Sequence, residues 1–314
     1  MRATSLFVLP LALGTAFAAS EPALLRTGNV TLSGTLELPS GNGPFPVALI
    51  VAGSGPTDRD GNSAQGLSTD AYKLLAQGLA ARGIASLRYD KRGVGKSVTN
   101  QREQDLRFGD FVNDATAWIR QLQSDGRFSK VGVIGHSEGA LIGLLAAQKT
   151  NAAAFVSLAG PGENAADTII RQLRANPNNP PALVAEGVRI TNELRAGRPV
   201  AQVNPLLAAL YRPSVQPYVI SWFRYDPAAE IARLTIPTLI VQGDRDLQVS
   251  VEDARKLKAA QPRAELAIIG GMNHVLKNVP ADQQANLASY ADPTLPLAPG
   301  LLDAVSAFLL RTLK

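Results

Sequence analysis

Residues 130–149, KVGVIGHSEGALIGLLAAQK, decide the fold. The run from Val131 to Gly135 is short and apolar throughout, as expected of a strand covered on both faces, and Gly139 to Lys149 carries helical periodicity. Between them Gly135-His136-Ser137-Glu138-Gly139 places a G-x-S-x-G pattern on a sharp strand-to-helix turn. That turn forces its serine into a strained backbone geometry, and side chains at the two flanking positions would collide with neighbouring strand and helix backbone. The start of a helix also favours developing negative charge. Ser137 is therefore the candidate nucleophile.

Working outward, Val47 to Ala52 is another continuous apolar run, and comparable runs end at Tyr89, Gly135, Ala159 and Gln242. Helical stretches at 71–82, 108–124 and 139–149 separate them, so β and α alternate and predict a doubly wound, mostly parallel α/β sheet. After Ile236 the alternation resumes with a strand to Gln242, a helix over 251–260, a strand over 264–269 and a last helix over 301–313. Upstream, Val30 to Leu38 alternates like a half-exposed strand before Ser40-Gly41-Asn42-Gly43-Pro44, which suggests an opening antiparallel hairpin. The interval 161–234 breaks the rhythm, with helical segments, many prolines and no convincing strand. It reads as an inserted helical cap, leaving 19–160 and 235–314 as the core. Such a cap belongs over the C-terminal ends of the strands, where open α/β sheets bind ligands.

With 314 residues, 46% of them hydrophobic, the chain can bury a full core. Its net charge of +5 comes from 31 basic and 26 acidic side chains that are interspersed, which gives no electrostatic case for nucleic acid. Residues 1–18 resemble a signal peptide: Arg2, an apolar run from Leu6 and the Ala16-Phe17-Ala18 cleavage pattern. That run of roughly 13 residues is shorter than the ~20 needed to span the hydrocarbon layer, so export with cleavage and no stable membrane insertion is expected. The destination is periplasmic or extracellular. With no cysteine, stability must come from the core.

A serine hydroxyl needs a base, usually histidine. The chain has two histidines. His136 adjoins the nucleophile and should point elsewhere, which leaves His274, in Gly271-Met272-Asn273-His274. The acid should lie between 137 and 274 in the order Ser, acid, His. The buried run Leu239 to Gln242 ends in Gly243-Asp244-Arg245-Asp246, and Asp246 is preferred; Asp244 more naturally caps the strand or pairs with Arg245. The tetrahedral intermediate needs two donors. One is the backbone N–H of Glu138, and the other is placed at Ser54 N–H in Gly53-Ser54-Gly55-Pro56, with Gly55 as the fallback. Tyr218, Trp222 and Phe223 form part of an aromatic excess in the cap and are candidates for the substrate pocket; packing of cap helices on the core is the competing explanation.

Together AGSGPTDRDGN at 52–62, RYDKRGVGKS at 88–97, GHSEG at 135–139, QGDRD at 242–246 and GMNH at 271–274 resemble the α/β-hydrolase superfamily, in its bacterial esterase and serine-aminopeptidase-like branch. The resemblance implies Ser137, Asp246 and His274 as a triad and an acyl-enzyme mechanism without metal or other cofactor. It also makes Asp90 and Arg92 loop-organising residues beside the oxyanion turn. One departure is Ala52-Gly53 where many relatives have His-Gly, which removes a side chain that often buttresses the loop. Arg92 to Ser97 imitates a P-loop, but its required first glycine falls on Asp90, so nucleotide is not expected. Asp58-Arg59-Asp60 reads as a local ion-pair and turn network rather than a metal site.

The expected activity is hydrolysis of small-molecule carboxylic esters with short to medium acyl chains. A serine aminopeptidase on the same triad is the alternative and needs a cap carboxylate, Glu163, Glu186, Glu193 or Glu230, to grip an ammonium group. A non-catalytic binding protein on this scaffold is a more distant one. The oligomeric state is left open.

Overall fold

The structure is a computed structural model that describes residues 19–313, so the expected signal segment lies outside the described residues. The chain opens with β1 (Ala19–Thr27), β2 (Val30–Leu38) and β3 (Phe45–Val51), followed by α1 (Ala71–Ala80), β4 (Ala85–Tyr89) and the short β5 (Val98–Thr99). Next come α2 (Phe108–Ser124), β6 (Phe128–His136), α3 (Glu138–Thr150) and β7 (Ala154–Leu158). Five helices then intervene: α4 (Ala165–Ala175), α5 (Pro181–Arg195), α6 (Ala208–Tyr211), α7 (Gln216–Trp222) and α8 (Pro227–Ala232). The chain closes with β8 (Thr238–Gly243), α9 (Val251–Ala260), β9 (Glu265–Ile269), α10 (Gln283–Ala288) and α11 (Leu301–Thr312).

The sheet order is β1-β2-β4-β3-β6-β7-β8-β9, with β5 beside β2. Strands from β4 to β9 along this path pair in parallel, whereas β1, β2 and β5 pair antiparallel. The opening hairpin forms between β2 and the upstream β1, and β4 separates β2 from β3.

The apolar run in β3 serves both faces. Val47, Leu49 and Val51 join a core with residues of α2, α3 and α9, while Ala48 and Ile50 join a second core with α1 and α11. A strand with helices on both sides cannot alternate polar and apolar residues, so it reads as a continuous apolar run. The helices between β7 and β8 form a third, smaller core around Ile169, Leu173, Ile190, Leu194 and Tyr211. Against α2 they place Trp222 stacked on Phe108, with centroids 6.1 Å apart and planes 3° from parallel. The amide of Phe108 donates to Ser221 Oγ at 2.8 Å, and Arg212 pairs with Glu103. No described helix is long and apolar enough to cross a membrane.

Candidate active site

Ser137 sits between β6 and α3 with φ 54° and ψ −125°, a conformation that non-glycine residues rarely adopt. The turn closes only because its flanks lack side chains. A Cβ on Gly135 would lie 2.2 Å from the Gly139 carbonyl oxygen, and one on Gly139 would lie 2.3 Å from that of Val51. Cross-strand pairing holds the turn to the sheet, with Ser137 N–H donating to the Leu158 carbonyl at 3.0 Å.

The loop after β9 and the loop after β8 bring His274 and Asp246 to this serine. Ser137 Oγ lies 3.1 Å from His274 Nε2, and His274 Nδ1 lies 2.8 Å from Asp246 Oδ2. Because the carboxylate accepts, Nδ1 carries the proton and Nε2 is left to accept from the serine. Asp246 is buried and fully bonded. Its Oδ1 accepts the amides of Gln248 at 2.7 Å and Val249 at 2.9 Å, and its Oδ2 also accepts Gln242 Nε2 at 3.0 Å. Burial alone would raise its pKa, but the His274 ring and the two amides outweigh it and hold the carboxyl below its usual range.

His136 faces away from the serine hydroxyl. Its Nε2 lies 2.8 Å from the His274 carbonyl and its Nδ1 2.7 Å from Tyr72 Oη, which accepts the Gly53 amide at 3.0 Å. The backbone carbonyl can only accept, so Nε2–H donates to it and Tyr72 O–H donates to Nδ1. Burial, followed by the neighbouring His274, pushes the His136 pKa down to about 3, which keeps the ring neutral. The relay ties the Gly53 turn to the backbone of His274.

No hydrogen bond among the described residues uses the amides of Ser54 or Glu138 as donors. Glu138 N–H opens α3 and Ser54 N–H follows the end of β3, so both strand ends present a free donor beside Ser137. The Gly53 turn is braced by Lys91, whose ammonium donates to the carbonyls of Gly53 and, at 2.6 Å, of Gly55. Lys91 and Tyr72 escape sequence reasoning. Their only signal is position, Lys91 just past a buried strand and Tyr72 at the start of a helix.

Beside Ser137 and His274 opens a cavity of about 210 Å³, walled by Thr57, Leu67, Tyr72, Gln248, Leu276 and Tyr290 among others. Tyr290 is fixed by its carbonyl accepting Ser68 N–H at 2.8 Å and its hydroxyl accepting Gln248 Nε2 at 3.0 Å. Tyr218, Trp222 and Phe223, expected as pocket candidates, are not among the residues that line this cavity. Phe223 is buried in the core of the helical connection, Trp222 stacks on Phe108, and Tyr218 packs edge-on to Phe111 while its hydroxyl donates to Glu138 Oε1. Trp222 and Tyr218 thus spend apolar area on α2, and Phe223 on the core of the helical connection.

Other candidates resolve into structural contacts. Asp244 Oδ1 accepts the Gly271 amide at 2.8 Å, bracing the loop before His274 rather than pairing with Arg245. Asp90 pairs with Arg59 at 2.6 Å and accepts the Lys96 amide, and Arg92 pairs with Asp114. Asp60 pairs with Arg88 at 2.8 Å, and Asp58 Oδ1 accepts the amides of Asp60 and Asn62.

The family described as serine aminopeptidase, S33, matches residues 66–195. Esterase EstD of Thermotoga maritima is 29% identical over 252 residues, covering 78% of this chain and 58% of EstD, so the chain spans less than two thirds of that relative. Est1E of Butyrivibrio proteoclasticus, solved with ferulic acid bound, superposes with a TM-score of 0.60 at 20% identity, covering 92% of this chain and 98% of Est1E. The Pyrococcus furiosus esterase Pf2001 superposes with a TM-score of 0.57 at 17% identity, covering 95% of this chain and 94% of that one. With the strand order and the serine turn already described, these likenesses show the α/β-hydrolase fold, and the chain is similar to esterases and, over residues 66–195, to the S33 serine aminopeptidases.

Proposed function

We propose that the protein is a serine carboxylesterase for esters with short to medium acyl chains. The observation that carries this reading is the unbroken line from Ser137 Oγ through His274 to Asp246 beside a small cavity. Ser137 Oγ attacks the ester carbonyl as its proton passes to His274 Nε2, and Asp246 stabilises the imidazolium. The amides of Ser54 and Glu138 receive the oxyanion. Collapse breaks the C–O bond to the alcohol, which leaves with the proton from Nε2. Water then attacks the acyl-serine with His274 again as base, and the carboxylic acid departs as Ser137 recovers its proton.

Size and charge support an ester over an aminoacyl substrate. About 210 Å³ lies below the ~300–1,000 Å³ of drug-sized ligand sites, so a short acyl chain or a small alcohol is favoured. Among the described residues, the cavity walls carry no carboxylate to grip an ammonium group. The acids considered for that task are engaged elsewhere: Glu163 with Arg171 and Lys256, Glu193 with Arg198, Glu230 with Arg233, and Glu186 with the Asn204 amide. In this reading residues 161–234 act as a cap and residues 1–18 direct export. A panel of p-nitrophenyl esters of rising acyl length, run beside aminoacyl-p-nitroanilides, tests the assignment. Turnover concentrated on short esters is expected; faster turnover of the anilides would reassign the protein as a peptidase.

A further inference from the structure

Lys91 is a buried cation beside the oxyanion turn that the proposed reaction leaves unused. It follows β4 by two residues, as Gly53 follows β3, and the parallel register that pairs Ile50 with Arg88 sets the two strand ends side by side. The residue is 4% exposed, an expensive place for an ammonium group unless its donors are used. Both donors in use go to backbone carbonyls, of Gly53 and of Gly55, the residues on either side of Ser54. Burial lowers the Lys91 pKa, with Glu138, itself buried next to Ser137, partly opposing it.

The Gly53 carbonyl and the Ser54 N–H belong to one peptide group. In a planar trans peptide these two bonds point in opposite directions. An ammonium fixed on the oxygen therefore turns the Ser54 N–H away from Lys91 and holds the plane. Tyr72 holds the preceding Gly53 N–H, so the peptide is pinned at both ends. A cation on the carbonyl oxygen also polarises the group, which strengthens its N–H as a donor.

Resting on the serine-esterase reading, we propose that Lys91 is a positioning residue that orients and polarises the Ser54 peptide as an oxyanion donor. It acts through the backbone and touches no substrate. It braces the turn in a chain whose Ala52 has no side-chain donor for that task.

The test compares wild type with Lys91→Met on a p-nitrophenyl ester, together with affinities for two ketones. A trifluoromethyl ketone forms a tetrahedral oxyanion with Ser137, and the matched methyl ketone serves as the ground-state ligand. Losing one donor's alignment is expected to lower kcat by about a hundredfold with KM nearly unchanged. Trifluoromethyl ketone affinity should fall by the same factor while methyl ketone affinity holds. If Lys91→Met does not fold, Lys91→Gln, which keeps a donor for one carbonyl, should give an intermediate loss with the same split. The chain has no cysteine, so Lys91→Cys alkylated in denaturant with 2-bromoethylamine and refolded restores an ammonium at this position alone, and should recover activity. Unchanged kcat, or equal losses for the two ketones, overturns the assignment of Lys91. A wild type that hydrolyses no ester at all overturns the esterase reading instead.

Discussion

Replacing Asp246 with asparagine changes one oxygen to NH₂, and the structure dictates which one. Oδ1 receives the amides of Gln248 and Val249, two donors that need an oxygen, so the asparagine carbonyl must stay there. The NH₂ then occupies the Oδ2 position, facing His274 Nδ1 and Gln242 Nε2. Gln242 cannot readily turn its own oxygen inward to help, because its Nε2 also donates to the Val249 carbonyl at 2.8 Å. His274 must then accept at Nδ1 and carry its proton on Nε2, the atom that should take the proton from Ser137. Trapping the histidine in the wrong tautomer while geometry is preserved costs about 10⁴-fold in kcat, or about 5 kcal/mol of transition-state stabilisation. Initial rates on a p-nitrophenyl ester near neutral pH measure it, with KM expected to hold because Asp246 does not line the cavity. An Asp246→Asn enzyme that keeps more than about a tenth of wild-type kcat would refute the tautomer argument.

Three further outcomes follow from local contacts. Gly139→Ala drives a Cβ into the Val51 and Ala52 carbonyls and should cost about 3 kcal/mol, read as a lower Tm, whereas Gly126→Ala, with open space around it, should leave Tm unchanged. Tyr218→Phe strips a buried carboxyl of its hydroxyl partner, so a stability loss of about 1–3 kcal/mol is expected with KM unmoved; a sharply raised KM would return the aromatic cluster to the substrate pocket. His136 stays neutral down to about pH 3 when folded but takes a proton below about 6.5 when unfolded, so its contribution to stability is intact above that range and falls through it on acidification. Denaturant titrations across this window should give His136→Gln a slope shallower by about 1.4 kcal/mol per pH unit; equal slopes would contradict a neutral buried ring.

The strands and the serine turn were legible because burial on both faces writes itself into consecutive residues. Val47 to Ala52 and Val131 to Gly135 need no partner to be recognised, and two glycines around Ser137 mark a steric limit that the turn obeys. Scarcity pointed to His274 and a place just beyond β8 to Asp246, and the structure brings both side chains to Ser137. What stayed hidden depends on segments far apart in the chain. The cavity wall joins Leu67, Gln248 and Tyr290, and no local pattern says that Ser68 and Tyr290 meet. Lys91, between an aspartate and an arginine, looks like a surface charge until β3 and β4 are laid side by side. The aromatic residues of α7 were ambiguous for a related reason: their partner, Phe108, begins a helix more than a hundred positions earlier.

Ser137 is proposed as a nucleophile activated by His274. Intact-mass analysis after reaction with a fluorophosphonate tests it most directly. A single adduct is expected, mapped by peptide sequencing to Ser137 and absent from Ser137→Ala, with His274→Ala labelling far more slowly than wild type. Labelling of Ser137→Ala to the same extent as wild type, or an adduct on another residue, would contradict it.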